Sequence, residues 1–370
     1  MKAAIVHDWL TGMRGGEKVL EALCDLYPEA PIYTLVHFQG SVSKKIESHP
    51  IETSFLQYAP AVNKYYRHYL PLFPAAVETF SLEQYDLVIS SSHCVAKAAI
   101  AAPSTIHICY CHTPMRYIWS HYADYFGDHR TGILRKTAIE PVVERLRIWD
   151  AKTAVRVNQF VANSGTVAQR IQKYYNRTST VIYPPVEIDF FTPSDDPRED
   201  FFLMVTALVP YKRIEIAIEA FRRLGYPLKI AGTGPDDVRL KKIAGPNVEF
   251  LGRVSMETLR ELYRKAYAFI QPGEEDFGIS VVESLACGTP VIAYAAGGAT
   301  ETIVDGETGL FFNELSPEAL LESVDKTRRL RFNKSLLREA ALRFSPERFR
   351  LQFQSFVEST IHLNHGSQEE

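Results

Sequence analysis

Cysteine is scarce in this chain, and no two cysteines have the C-x-x-C spacing of a redox or zinc site. The sequence of 370 residues contains five: Cys24, Cys94, Cys109, Cys111 and Cys287. Cys109 and Cys111 precede His112, but no second pair of candidate ligands follows, whereas a structural zinc ion takes four ligands. This cysteine usage argues against a metal site and predicts a reducing, cytoplasmic environment.

Long apolar stretches and an excess of basic residues are also missing. Met1–Asp8 reads as a short buried strand, so we expect no signal peptide. The longest apolar candidate, Ala98–Ala102, is closed by Lys97 and Pro103, far short of the roughly 18–20 residues of a transmembrane helix. The net charge is −3, whereas general nucleic-acid binders carry a basic excess. We expect a chain that is soluble or rests on a membrane and does not bind nucleic acid.

Short apolar strands alternate with helical stretches in both halves of the chain. This alternation predicts parallel sheets that are covered by helices on both faces. The length suits two domains rather than one. The predicted strands are Ala3–Val6, Leu87–Ser90, Ile106–Tyr110, Phe160–Ala162, Val181–Tyr183, Phe202–Thr206, Leu228–Ala231, Glu249–Leu251, Ala268–Gln271 and Val291–Tyr294. The predicted helices are Glu17–Leu26, Thr166–Tyr174, Ile214–Leu224, Met256–Ala266, Val281–Cys287, Pro317–Lys326 and Pro346–Ile361.

A proline-rich, acidic segment separates the two halves. It runs from Pro184-Pro185 to Asp200 and reads as an interdomain linker. The predicted fold class is therefore α/β, with two doubly wound Rossmann-like domains over residues 1–190 and 191–345. Residues 346–370 are expected to form a helix that packs back toward the first domain. In such domains ligands bind at the carboxyl ends of the strands.

The segment Gly278–Pro290 is predicted to form a helix whose amino end suits an anion. A glycine and a proline terminate this helix, which begins near Ser280. Its first amides lack intrahelical acceptors and carry the positive end of the dipole, so they suit a diphosphate. The residues alone leave two alternatives open for each acid. Glu283 either completes a capping box with Ser280 or binds a ligand, and Glu275 is either a solvated loop acid or a site residue.

The stretch Glu275–Glu283 resembles the E-x7-E signature of retaining glycosyltransferase family 4, which has the GT-B fold. Three further segments are similar to that family in the right order, so that the resemblance covers about residues 201–315: Leu208–Arg213, Ala231–Pro235 and Gly297–Leu310. The resemblance implies that Glu275 contacts the donor sugar and that Glu283 binds the ribose. It also implies that Ser280 and the amides of Gly278 and Ile279 face the diphosphate.

The family's lysine in the strand-to-loop segment holds the donor diphosphate, which implies this role for Lys212. An arginine usually stands a few residues earlier, but this chain has Ala207 there. We therefore expect Arg213 to supply the second positive charge. A solvated pair of basic residues at a helix start is the alternative.

Two segments of the first half resemble the same family. The loop Gly12–Glu17 resembles its glycine loop, which implies that Gly15 and Gly16 approach the diphosphate and the sugar; a plain tight turn is the alternative. The string Tyr110–Tyr117 is similar to the segment of mannosyl- and rhamnosyl-type members that places a histidine beside the sugar. This implies that His112 joins Lys212 and Glu275 in the catalytic set, although a histidine beside a Thr-Pro turn is often structural.

The resemblance also implies the reaction: a retaining transfer of a hexose from a nucleotide sugar, without a metal. No Asp-x-Asp pair that would hold a bridging metal occurs in the sequence. The strings Tyr110–Tyr117 and Leu208–Arg213 resemble segments of enzymes that use GDP-mannose in the assembly of surface polysaccharide and lipopolysaccharide. We therefore expect mannose from GDP-mannose as co-substrate, no further cofactor, and a glycan or undecaprenyl-linked glycan as acceptor. A nucleotide-sugar 2-epimerase and a non-catalytic nucleotide-sugar or lipid-glycan binding protein are the alternatives. A dehydrogenase is disfavoured, because Asp237 replaces the third glycine after Gly232-x-Gly234.

Aromatic and basic residues are interleaved between Phe55 and Phe73. This composition suits a peripheral contact with the cytoplasmic face of a membrane that carries a lipid-linked acceptor. The equal alternative is a helix whose tyrosines belong to the core and whose Lys64 and Arg67 are solvated.

Overall fold

The computed structural model describes residues 1–120, 122 and 128–366, and of residues 128–138, 365 and 366 it describes the backbone alone. The chain folds into two compact units. The first unit is Met1–Pro185 together with Glu347–Glu370, and the second is Val186–Pro346. Each unit is built on a parallel sheet, which confirms the predicted α/β class.

The first unit contains a seven-stranded sheet in the order β3-β2-β1-β4-β5-β6-β7. The strand order reverses between β1 and β4, which is the place where doubly wound folds bind ligands. The strands are β1 Ala3–His7, β2 Ile32–Thr34, β3 Ile51–Thr53, β4 Leu87–Ser92, β5 Ile106–Cys111, β6 Gln159–Ala162 and β7 Ser179–Val181. The helices are α1 Gly15–Leu26, α2 Lys44–Glu47, α3 Val62–Tyr65, α4 Phe73–Val77, α5 Asp128–Thr153, α6 Gly165–Tyr175 and the terminal helix, which is given below.

Buried side chains cover both faces of the first sheet. Val88 belongs to one apolar cluster and Ile89 to the other, because successive side chains of a strand point to opposite faces. The terminal helix lies on the second of these faces. Its Phe349 and Phe353 rings lie 5.7 and 6.3 Å from the ring of Tyr110 on β5.

The second unit contains a six-stranded sheet in the order β10-β9-β8-β11-β12-β13. Its strands are β8 Phe202–Val205, β9 Leu228–Ala231, β10 Val248–Gly252, β11 Ala268–Gln271, β12 Val291–Tyr294 and β13 Gly309–Phe312. Its helices are α7 Ile214–Leu224, α8 Asp237–Ile243, α9 Met256–Lys265, α10 Ile279–Ala286, α11 Ala299–Thr302, α12 Pro317–Arg329 and α13 Lys334–Leu342, and α14 Pro346–Gly366 is the terminal helix of the chain.

The segment that reads as a linker packs on the second unit. The amide of Val186 donates to the carbonyl of Phe344 at 2.9 Å, and the buried Phe191 ring lies 5.7 Å from the ring of Tyr263. The division between the units therefore falls at Pro185, at the start of the proline-rich segment. All three tryptophans of the chain, Trp9, Trp119 and Trp149, belong to the first unit.

Candidate functional site

In the second unit, Lys212 and Glu275 lie in contact. Lys212 ends a 3-10 turn, Pro210–Lys212, that precedes α7. Its Nζ donates to Oε1 of Glu275, and the two side chains are 11% and 16% exposed. Arg213 follows with φ 54° and caps α7. Two predicted site residues that are far apart in the sequence thus form one largely buried ion pair.

The loop after β11 positions the Glu275 carboxylate. Gln271 ends that strand, and its Nε2 donates to Glu275 Oε1 and to the carbonyl of Gly273, both at 3.2 Å. A Cβ atom on Gly273 would lie 2.8 Å from the carbonyl oxygen of Tyr211. Only glycine therefore lets this loop pass so close to the turn that carries Lys212.

A second loop holds the backbone of Glu275. Gly297 pairs with Glu275 in a parallel bridge, and the amide of Gly298 donates to the Glu275 carbonyl at 2.8 Å. Gly297 has φ 66°, and a Cβ atom there would lie 2.2 Å from the Glu275 carbonyl oxygen. The acid is therefore fixed at both its side chain and its backbone.

Helix α10 begins beside this acid, and its amino end is the accessible part of the helix. Gly278 caps it with φ 89° and without a side-chain hydrogen bond. Gly278, Ile279 and Ser280 are half-buried, whereas most later residues of the helix are buried. An accessible helix start with unpaired amides can accept an anion.

The alternative in which Ser280 and Glu283 form a capping box is wrong. The helix starts at Ile279, so Glu283 lies in its second turn and cannot cap it. Its Oε2 instead accepts a hydrogen bond from the hydroxyl of Tyr263 at 2.9 Å. Burial, helped by the Glu283 carboxylate, raises the pKa of Tyr263 well above its ordinary value. Tyr263 therefore stays protonated and orients the carboxylate.

In the first unit, polar side chains meet at the carboxyl ends of β1, β4 and β5. His7 and Ser91 are register partners, and His7 Nδ1 lies 3.1 Å from Ser91 Oγ. Ser91 Oγ also lies 2.9 Å from His112 Nε2. A Cβ atom on Gly16 would lie 3.7 Å from His112 Nε2, so the glycine loop and the predicted histidine are brought together.

The amino end of α1 contains a buried acid. Gly15 and Gly16 open this helix, and Arg14 caps it. Glu17 is 2% exposed and accepts a hydrogen bond from the Arg14 amide at 2.9 Å. Burial alone would raise the pKa of Glu17, but its interactions with His7 bring the pKa below the ordinary value. Glu17 is therefore an ionised acid inside the first unit.

Asp8 and His93 support the same edge of the sheet. The carboxylate of Asp8 accepts the four backbone amides of residues 93–96 at 2.6–2.9 Å. His93 Nδ1 lies 3.1 Å from Asp8 Oδ2, and the His93 ring lies 4.4 Å from the ring of Trp9. Burial, followed by the nearby His7, lowers the pKa of His93 to about 3. His93 is thus a neutral, structural histidine at neutral pH.

Sequence reasoning missed several polar residues that surround the predicted ones: His7, Ser91, Gln271 and Tyr263. A signal for two of them was available. His7 and Ser91 stand at the polar carboxyl ends of apolar strands, where ligands bind in doubly wound domains.

Cys109 and Cys111 point away from His112. Both sulfur-bearing side chains pack in an apolar cluster with Phe160, whereas His112 faces Ser91 on the other side of the strand. Among the residues that the structure describes, no group of three or more histidine, cysteine and acidic side chains is arranged to hold a metal ion.

The aromatic and basic segment 55–73 is only partly buried. Its exposed apolar side chains are Phe55 at 48%, Tyr58 at 86%, Tyr65 at 42% and Leu72 at 46%. Tyr66 belongs to the core, with Arg67 over its ring at 5.0 Å. Within the described parts of the chain, no helix has the length and apolar character needed to cross a bilayer.

Two family models match the chain. The model described as Glycosyltransferase Family 4 matches residues 14–190, and the model described as Glycosyl transferases group 1 matches residues 186–340. Together they cover most of both units.

Named relatives are similar over part of the chain. A D-inositol 3-phosphate glycosyltransferase of Mycobacterium sp. (strain KMS) is 32% identical over 205 residues, which are 50% of this chain and 45% of that protein. The D-rhamnosyltransferase WbpZ of Pseudomonas aeruginosa is 36% identical over 132 residues, 34% of this chain and 35% of that protein. The chain thus spans less than half the length of these curated relatives.

A solved structure is similar over nearly the whole chain. The Anabaena protein HepE, solved in complex with UDP and glucose, has a TM-score of 0.69 and 17% identity. The match covers 97% of this chain and 100% of that chain. At this identity the likeness shows the fold.

Proposed function

We propose that this chain is a glycosyltransferase of the GT-B fold that transfers a hexose from a nucleotide sugar to a hydroxyl group of a glycan or lipid-linked glycan. The two family models and the likeness of fold support this proposal. One observation carries the proposal. The Lys212–Glu275 ion pair lies beside the accessible amino end of α10. A cation and helix amides suit a diphosphate, and a fixed carboxylate suits a sugar.

We propose a division of roles within this group. Lys212 and Arg213 hold the diphosphate with the amides of Gly278, Ile279 and Ser280. Glu275 contacts the sugar, and Glu283, oriented by Tyr263, binds the ribose.

The proposed reaction breaks the bond between the anomeric carbon and the diphosphate oxygen. The electron pair leaves with the nucleoside diphosphate, the acceptor oxygen attacks the same face of the sugar, and its proton passes to the leaving phosphate. Negative charge grows on the diphosphate, so Lys212 stabilises the transition state more than the ground state. We propose that the reaction retains the anomeric configuration and requires no metal, so EDTA leaves the rate unchanged.

In the first unit, we propose that His112 contacts the transferred sugar and that Gly15 and Gly16 approach the donor. His112 is half-buried, and its Nε2 lies 2.9 Å from Ser91 Oγ, which holds the ring. Loop backbone at the start of α1 adds amides that face an anion.

We propose GDP-mannose as the donor. The support is the resemblance of the strings Tyr110–Tyr117 and Leu208–Arg213 to GDP-mannose-using enzymes, together with the likeness to a D-rhamnosyltransferase. HepE was solved with UDP and glucose, so UDP-glucose is the comparator in any test.

We propose that residues 55–73 contact a membrane surface that carries the acceptor. The segment combines four exposed apolar side chains with Lys64 and Arg67, a composition that suits the interface between lipid headgroups and acyl chains. Flotation with anionic vesicles tests this contact. Tyr58→Ser should reduce the fraction of protein that floats with the vesicles, and an unchanged fraction would contradict the proposed membrane contact.

A donor panel tests the function. Thermal shifts with GDP-mannose and UDP-glucose identify the donor, and incubation of that donor with undecaprenyl-linked glycans tests transfer. Incubation without any acceptor separates the alternatives: an epimerised donor would show an isomerase. A donor that binds without either reaction would show a binding protein.

A further inference from the structure

Both ends of helix α10 are tied to other parts of the second unit. At the amino end, a Cβ atom on the capping Gly278 would lie 3.8 Å from the Cβ of Glu275. At the carboxyl end, Arg338 on α13 donates from Nη1 to the carbonyl of Ala286 at 3.3 Å. Arg198 donates to the carbonyl of Gly288, just beyond the helix. Cations in this position complement the negative end of the helix dipole.

Arg338 also holds the segment by which the chain enters the second unit at Val186. Residues 186–198 form this entry segment. The same Nη1 of Arg338 donates to the carbonyl of Ile188 at 2.6 Å and to that of Phe191 at 2.7 Å. Ile188 and Phe191 are both buried. One guanidinium nitrogen therefore bridges the carboxyl end of α10 and the entry segment.

The later part of the entry segment follows the same end of α10. Arg198, which donates to Gly288, is the last residue of the segment. Lys334 on α13 donates to the carbonyl of Ser194 at 2.7 Å. A Cβ atom on Gly288 would lie 3.5 Å from the Cβ atoms of both Lys334 and Pro193. The entry segment, the carboxyl end of α10 and α13 thus pack together.

The short length of α10 links this packing to the proposed diphosphate site. The helix has eight residues, so its two ends are roughly 12 Å apart at a rise of about 1.5 Å per residue. A helix of two turns is not stable by itself and depends on its tertiary contacts. The contacts at its carboxyl end therefore help to set the direction of the amides at its amino end.

We propose that Arg338 is a positioning residue that couples the diphosphate site at the amino end of α10 to the entry segment. This rests on the proposed function, because the diphosphate belongs to the donor. Coupling between two sites is reciprocal. A bound diphosphate stabilises the entry segment, and the bridge through Arg338 in turn strengthens the binding of the diphosphate.

Arg264 provides the matched control. It lies on α9 and donates to the carbonyl oxygen and the hydroxyl oxygen of Thr192, both at 2.6 Å. Arg264 therefore holds the entry segment with a guanidinium, as Arg338 does, but from another helix. Arg264→Met removes these bonds and leaves the bridge from Arg338 to Ala286 in place.

Hydrogen exchange of the full chain, followed by mass spectrometry, tests the coupling. It is measured with and without GDP or UDP, whichever binds in a calorimetric titration. In the wild type the bound nucleotide should slow exchange in the entry segment, which includes the hydrogen-bonded amides of Ile188 and Phe191, by about fivefold or more, the lower end of typical coupling.

The two variants should differ in this response. In Arg338→Met the slowing should disappear, and the Kd for the nucleotide should rise about fivefold. Arg264→Met should keep the slowing, with a Kd within about twofold of the wild type.

Two results would overturn the proposal. The first is exchange in the wild-type entry segment that the bound nucleotide leaves unchanged, and it requires no variant, so it applies even when Arg338→Met does not fold. The second is an equal loss of slowing and affinity in Arg338→Met and Arg264→Met, which would show a merely structural role. Failure of both nucleotides to bind the wild type would instead refute the proposed donor site, on which the coupling rests.

Discussion

Replacing Glu275 with glutamine should strengthen the binding of a free nucleoside diphosphate, although Glu275 belongs to the proposed donor site. Lys212, the cation that is proposed to hold the diphosphate, is paired with this carboxylate in the structure. A diphosphate that approaches Lys212 must share it with Glu275 and is repelled by the same acid. The substitution removes both obstacles.

The magnitude follows from the burial of the pair. Two unit charges at about 4 Å attract by about 4 kcal/mol at an effective dielectric constant of about 20. Desolvation offsets most of this for side chains that are 11% and 16% exposed, and about 1–2 kcal/mol remains. The Kd for GDP should therefore fall about 5–30-fold in Glu275→Gln.

Calorimetric titration of GDP, the nucleoside diphosphate of the proposed donor, into four variants tests this reasoning. Lys212→Met loses a charge-assisted hydrogen bond, so its Kd should rise about 10–100-fold. In the double variant the gain from Glu275→Gln should vanish, because no cation remains to be released. Glu249→Gln, at an exposed position on β10, controls for net charge. Weaker binding of GDP to Glu275→Gln, or the same gain without Lys212, would refute the competition.

Three further predictions follow from buried groups. Lys97 and Asp150 form an ion pair whose side chains are 1% and 0% exposed, so Lys97→Met should lower the unfolding free energy of the first unit by about 3–5 kcal/mol. Tryptophan fluorescence during urea unfolding measures this loss, and a loss below about 1 kcal/mol would contradict the prediction. In the folded protein the pKa of His93 is lowered to about 3. In the unfolded chain His93 binds a proton below the ordinary histidine pKa of about 6.5, so the unfolded chain then holds one proton more than the folded protein. Stability therefore falls from pH 7 to 5, by about 1–2 kcal/mol more in the wild type than in His93→Gln; equal pH profiles would rule this out. Tyr263→Phe removes the hydrogen bond from the Tyr263 hydroxyl to Glu283 and should raise the KM for the nucleotide sugar about 3–10-fold. An unchanged KM would contradict the proposed contact of Glu283 with the ribose.

Local patterns predicted the second sheet well. Strands β9, β11 and β12 and helix α7 have the predicted bounds, because each is a short apolar run or a clear amphipathic period next to a turn. Strands β2 and β3 have only three residues each, too few to show a period. Helix α5 contains Pro141 and mixed charges, which hide its helical pattern.

Contacts between distant segments were beyond sequence reasoning. The Ser280–Glu283 spacing matches a capping box, but the left-handed Gly278 starts the helix earlier and Tyr263 on α9 takes the carboxylate. The His7–Ser91 contact requires β1 to lie beside β4, which follows from strand order and from no local pattern. The family resemblance implied separate roles for Lys212 and Glu275, but it did not predict that the two side chains form an ion pair.

The rate of sugar transfer by Glu275→Ala tests the central claim most directly. With the donor identified by the panel and its acceptor, transferred sugar and released nucleoside diphosphate are measured for the wild type and the variant at saturating donor. A carboxylate that stabilises the developing positive charge at the anomeric centre is worth about 10²–10³-fold in kcat, so the variant should transfer sugar that much more slowly. Transfer at the wild-type rate would contradict the assignment of this site.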